Sequence, residues 1–171
     1  MSSHALADET KEVKETVSKY WTAFSNADFT STTEYISPLE LAALKESLLP
    51  IFLEAQHSKN QEVISITSVF FDGVAPEKRS EMSQKEVFLG LMRFTSLVAS
   101  EQFKVLSQST IETDQVTFDG DSNALADCRV MLGETPISTI LRLERVNGKW
   151  YMKPEESPID TATKMRSVLL R

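Results

Sequence analysis

FKVLSQSTIETDQVTFDGDSNALADCRVMLGETPISTILRLERVNGKWYMKP, from Phe103 to Pro154, decides the fold. Short bursts of β-branched and apolar residues run through it, and glycine stands only at the joins: Asp119-Gly120, Gly133-Glu134 and Asn147-Gly148. Asn-Gly between TILRLERV and KWYMK is the sharpest join, because a type I′ turn needs two positive φ angles that these residues tolerate. The stretch predicts four antiparallel strands in sequence, forming one curved sheet. Parity then separates two faces. Ala124, Ala126, Cys128, Val130 and Leu132 alternate with Asn123, Leu125, Asp127, Arg129 and Met131. Ile137, Thr139, Leu141 and Leu143 alternate with Ser138, Ile140, Arg142 and Glu144. One face is apolar and the other mixed and charged, the pattern of a sheet covered by helices on one side.

The cover must come from the preceding chain. Residues 1–7 carry no apolar pattern and are expected to be loose. From Thr10 to Ser25 the positions Val13, Val17, Tyr20, Trp21 and Phe24 recur at three and four, predicting an amphipathic helix with an aromatic-rich face. Asp28 caps a second helix expected over Phe29 to Ile36. Ser37-Pro38-Leu39-Glu40 is a helix start, with serine as cap, proline at the first position and glutamate at capping-box spacing. That helix runs to about His57, with a kink or restart at Pro50. QEVISITSVFF is rich in β-branched residues and predicts a strand from Val63 to Phe71. Gly73 to Met82 reads as a polar loop. Ser83-Gln84-Lys85-Glu86 repeats the capping-box spacing and starts a helix through Val87, Leu91, Phe94 and Val98. A final helix is expected from about Asp160. Helices that mostly precede the strands indicate α+β rather than alternating βαβ units.

Size and charge exclude several function classes. At 171 residues, the chain suits a single domain over 1–171, with an enlarged helical region over 37–99 and a C-terminal tail over 155–171. A net charge of −7 and the lack of a basic stripe exclude nucleic acid as the expected partner. No run approaches the length of a membrane span, and MSSHALADETKEV has no apolar core of a signal peptide, so neither a membrane nor export is expected. The one cysteine, Cys128, permits no internal disulfide and fits a reducing, cytoplasmic compartment.

Catalytic chemistry is sparse. The glycines are scattered singly, so no phosphate-binding loop is present. His4 and His57 are the only histidines, and nothing nearby in sequence orients either as a base. No metal site or cofactor is expected, and no catalytic residue is assigned. Cys128 has the inward parity of a small buried hydrophobe. Asp127, Arg129, Arg142 and Glu144 have the outward parity, where they suit cross-strand ion pairs or an interface between two such faces. Tyr20, Trp21 and Phe24 carry the aromatic stripe, and Tyr20 and Trp21 have polar tips that want partners when buried. Tyr35, Phe94, Cys128, Leu141 and Trp150 complete the candidate ligand-facing set.

VSKYWTAFSNADFTSTTEYIS, followed late in the chain by TILRLERVNGKWYMKP, resembles the nuclear transport factor two-like superfamily, which includes the ketosteroid isomerases and SnoaL-like cyclases. The matching positions are Tyr20, Ala23 and Asp28 on the opening helices and Asn147-Gly148-Lys149-Trp150 at the last turn. The resemblance implies a cystatin-like α+β cone, with a bent sheet wrapped around the N-terminal helices to leave a conical pocket. It also implies a small apolar ligand and a homodimer through the outer sheet face. Tyr20 matches the oxyanion-stabilising tyrosine of the isomerases. Where their catalytic base lies, this chain has Ser37-Pro38 and a long helix; where their second carboxylate lies, it has Thr139, Leu141 and Arg142. The expectation is therefore a ligand- or partner-binding protein. The alternatives are an isomerase, cyclase or dehydratase acting on a small carbonyl compound, and an association domain whose cone is filled.

Overall fold

The computed structural model describes residues 3–170, with side chains from residue 6 onward. The fold class is α+β, with most helices preceding a four-stranded antiparallel sheet of order β1-β2-β3-β4. The chain divides into two compact units. One takes in the chain up to Ser37 together with Glu101–Glu155; the other takes in Pro38–Ser100 and the chain from Glu156 on.

The first unit holds the sheet: β1 (Ser109–Asp119), β2 (Asn123–Leu132), β3 (Thr135–Val146) and β4 (Lys149–Lys153). Each join turns where a glycine takes a positive φ, and at the last one Asn147 does so as well, at 51°. Helix α1 (Ser3–Ser25) lies on the inner face. Its start at Ser3 corrects the expectation of a loose segment over residues 3–7; Met1 and Ser2 lie outside the described residues. Val13 and Val17 are fully buried against Ala124, Ala126, Cys128, Leu143, Trp150 and Met152. One turn before Val13, Glu9 accepts a hydrogen bond from Arg145 at 2.6 Å, and that guanidinium sits 5.9 Å from the Trp150 ring centre. The inner face is thus closed by valines in its middle and by an ion pair at one end.

Helix α2 is shorter than expected, Phe29–Thr32. Ser37 precedes proline, which disfavours helical backbone there, and the chain instead runs extended beside β4. The Met152 N–H donates to Tyr35 O at 2.7 Å and the Ser37 N–H to Met152 O at 3.0 Å, so Ile36 bridges Met152 in parallel. Phe103, read as the start of the strand block, belongs instead to α6 (Ser100–Leu106). Its ring packs 5.7 Å from both Phe24 and Phe29, which makes it helical cover rather than sheet.

The second unit is helical: α3 (Pro38–Ala55), α4 (Gln61–Phe70), a 3-10 turn over Pro76–Glu81, α5 (Gln84–Val98) and α7 (Pro158–Leu169). Pro50 does not restart α3. It faces solvent, where the carbonyl it leaves unbonded can be served by water. The expected strand over Val63–Phe71 is helix α4, capped by Asn60, whose side chain accepts the Glu62 N–H at 2.9 Å. Tertiary packing overrides the local preference. Phe70 stacks on Phe52 with ring centres 3.7 Å apart, and Phe71 and Phe94 meet Phe52 edge-on. Helix α5 approaches so closely that a Cβ added at Gly90 would lie 2.7 Å from the Phe70 carbonyl oxygen. Arg93, one turn further along α5, donates to the carbonyls of Phe70 at 3.0 Å and Asp72 at 2.8 Å. Helix α7 starts at Pro158 with Ser157 as its cap and packs along α3.

Because that obstacle is backbone, Gly90→Ala must separate α4 from α5. It is expected to destabilise the protein by about 1–3 kcal/mol, the usual cost of overpacking, read as a lower urea midpoint at unchanged slope.

Candidate functional site

The inner face gathers four of the aromatic and apolar candidates around one core. Cys128 and Trp150 are buried in it, and Tyr20 and Leu141 pack against it. Phe24 stacks on Tyr20 at 5.8 Å, and its other side meets Phe29 and Phe103. Trp21 points elsewhere: its indole N–H donates to Ser109 Oγ at 3.1 Å, which in turn donates to Leu106 O at 2.6 Å. Tyr35 stands at the α1–α2 corner beside an open groove of about 350 Å³ that Lys19, Asn26 and Asp28 also line. Phe94 belongs to the helical unit, where it meets Phe52 edge-on.

The chemistry of the inner face is quiet. Burial pushes the Cys128 thiol up, and its nearest polar neighbours are Thr113 Oγ1 at 3.5 Å and Ala126 O at 3.4 Å, so no base activates it. Burial alone pushes the Tyr20 phenol up to about 12, with no charged group contributing. The Tyr20 hydroxyl makes no hydrogen bond to a described residue. It is a neutral donor at every physiological pH, with no carboxylate poised beside it. His57 is exposed and meets only Gln56 Nε2 at 3.3 Å, and the His4 side chain lies outside the described residues. Among the described residues no group of three or more His, Cys, Asp or Glu gathers as a metal site would need, and no helix is long and apolar enough to cross a membrane.

The outer face is where unexplained chemistry collects. Ile140 is 60% exposed and Leu125 39% exposed, large apolar side chains left in solvent on a sheet that packs its other face. Register places Leu125 opposite Arg142 and Asp127 opposite Ile140, so these residues form the corners of one square patch. Asp127 and Arg142 lie across one diagonal, and neither is in an ion pair among the described residues. The other two expected interface residues are engaged differently. Glu144 accepts a hydrogen bond from the buried Ser37 hydroxyl and pairs with Lys153 at 3.5 Å. Arg129 stands opposite Ser138 on β3 and forms a two-point pair with Asp114 on β1, one of its bonds being Nε to Oδ2 at 2.9 Å. The cross-strand pairs foreseen among Asp127, Arg129, Arg142 and Glu144 are therefore replaced by partners on β1, on β4 and at Ser37.

Asp114 escapes sequence reading because it sits in a β-bulge. The pairing of β1 with β2 shifts between Thr113 and Gln115, which leaves Asp114 unpaired and free to turn toward Arg129. Leu125 and Ile140 share the outward parity of Asp127 and Arg142 and are legible from the sequence by that alone.

No family model, curated protein or solved structure matches this chain.

Two titrations follow. Hydrogen bonds from Arg129 hold the Asp114 carboxyl below its ordinary value. A depressed pKa contributes stability above the unfolded carboxylate range, and that contribution is lost as pH falls through the folded value. Asp114→Asn is expected to lower the melting temperature at pH 7 and to have progressively less effect below about pH 4. A phenolate absorbance step near pH 12 is expected from Tyr20. Tyr20→Phe should remove it.

Proposed function

We propose that the chain is an association protein that pairs with a second copy of itself through the outer face of the sheet. The observation that carries this is the square patch of Leu125, Arg142, Asp127 and Ile140. Lay two such faces together with a two-fold axis along the Leu125–Ile140 diagonal. Leu125 then meets the partner's Leu125, Ile140 meets the partner's Ile140, and Asp127 meets the partner's Arg142 twice over. A self-complementary arrangement of this kind is what an isologous dimer needs. Burying the two apolar side chains supplies the driving force, and the exchanged charges fix the register.

The filled inner face supports the same reading. If the sheet is the wall of a cystatin-like cone, as the resemblance to the nuclear transport factor two-like superfamily implies, its middle is occupied by Val13, Val17 and Trp150. A second reading, a small apolar ligand at the mouth of that cone, is favoured by the unpartnered Tyr20 hydroxyl. It would bind there as a hydrogen-bond acceptor. An isomerase or cyclase gains less support, because proton abstraction needs a base and burial is the whole cause of the Tyr20 shift.

Native mass spectrometry of freshly purified protein tests the pairing and any retained ligand together. A dimer is expected, and Ile140→Lys, a change at an already exposed position, should leave a folded monomer. A wild-type monomer at tens of micromolar would overturn the dimer. A bound organic mass lost in Tyr20→Phe would establish the second reading.

A further inference from the structure

We infer that α4 is a metastable helix whose residues Val63–Phe71 are a latent β-strand, able to pair with the same segment of other copies of this chain once α5 releases it. The run VISITSVFF contains no charge, no proline and no glycine. Val63, Ile64, Ile66, Thr67 and Val69 are β-branched, and Phe70 and Phe71 complete a sequence with strong preference for extended backbone. Such uncharged segments of six or seven residues are the kind that assemble as stacked strands when exposed.

Several observations show how lightly the helix is held. Of its residues only Thr67 and Phe70 are buried, while Val63, Ile64, Ile66 and Val69 are half-buried. The Thr67 hydroxyl is buried with no hydrogen-bond partner, an uncompensated desolvation. The hydroxyls of Ser65 and Ser68 fold back onto the carbonyls of Gln61 at 2.9 Å and Ser65 at 2.6 Å, bonds that weaken helices slightly. Apart from the Asn60 cap, what secures the helix is concentrated at its C-terminal end: the Phe70 stack on Phe52 and the two bonds from Arg93. Beyond the Asn60 cap at its start, what favours helix here is tertiary, while the residue preferences of Val63–Phe71 favour strand, a conflict between local and global preference. Ser65 and Ser68 are exposed, so a charge there meets solvent in the helix but interrupts a stack of strands.

The experiment uses the full chain in three forms: unmutated, Arg93→Ala, and Arg93→Ala with Ser65→Lys and Ser68→Lys. Assembly is followed by thioflavin fluorescence and by the amide I band of intermolecular β-structure at 37 °C. Arg93→Ala is expected to assemble roughly tenfold faster than the unmutated chain, and the two lysines to bring the rate back to the unmutated level or below. If the lysines leave the fast rate unchanged, or if Arg93→Ala assembles no faster, the inference is overturned. Native-state hydrogen exchange on the unmutated chain reads the helix directly. Amides of Val63–Phe70 are expected to exchange roughly a hundredfold faster than those of Leu48–Phe52 in α3. Equal protection in the two segments would also overturn it.

Discussion

The seating of one stripe of α1 on the sheet is the constraint on which the first unit depends. Glu9, Val13, Val17 and Tyr20 follow one another along the helix, and all four are committed to the inner face. Fully burying each valine is worth about 1.5–3 kcal/mol. The Glu9–Arg145 pair keeps the helix from sliding along that apolar surface, because Arg145 is also held over Trp150 and its backbone N–H is bonded to Ser122 O at 2.8 Å. Removing Glu9 would leave a half-buried guanidinium without its carboxylate, the expensive way to break such a pair. With this stripe in place the middle of the inner face is filled, and the proposed pairing therefore uses the other face of the same strands.

That division explains why the outer face is uneven rather than uniformly polar. Arg129 and Glu144 are tied down locally, the first by the bulged Asp114 and the second by Ser37 and Lys153. Asp127 and Arg142 are left over, next to two exposed apolar side chains. Exposed ion pairs contribute little to stability on their own. Their usefulness lies in positioning, and in the proposed pairing two opposite charges flanking an apolar diagonal would set the register of a partner that carries the same pattern.

Much of the first unit was legible in the sequence, for physical reasons that can be named. The joins at Asp119-Gly120, Gly133-Glu134 and Asn147-Gly148 were readable because positive φ angles demand particular residues there. The two faces were readable because a strand has a period of two. Helix α4 was not, since VISITSVFF prefers strand and becomes helix only through Phe52, Gly90 and Arg93, which lie elsewhere in the chain. Asp114 was not, because a bulge changes parity without changing composition. Of the candidate ligand residues, Tyr20, Cys128, Leu141 and Trp150 do share one core, whereas helical periodicity alone gave no means of separating Trp21 and Phe94 from them.

The proposed pairing turns on whether Asp127 of one copy meets Arg142 of another, and a mixing experiment reads that contact directly. Asp127→Arg and Arg142→Asp are prepared as separate proteins, and their masses in solution are measured alone and after mixing. Each alone would oppose like charges at both contacts of the two-fold. When the two variants pair with each other, each contact sets an arginine of one against an aspartate of the other, so the mixture restores opposite charges at both contacts, as does the doubly substituted chain Asp127→Arg/Arg142→Asp. The account predicts monomers for each single variant alone, and a dimer for their mixture and for the double variant. Dimers that persist in either single variant alone, or a mixture or double variant that stays monomeric while folded, would contradict it.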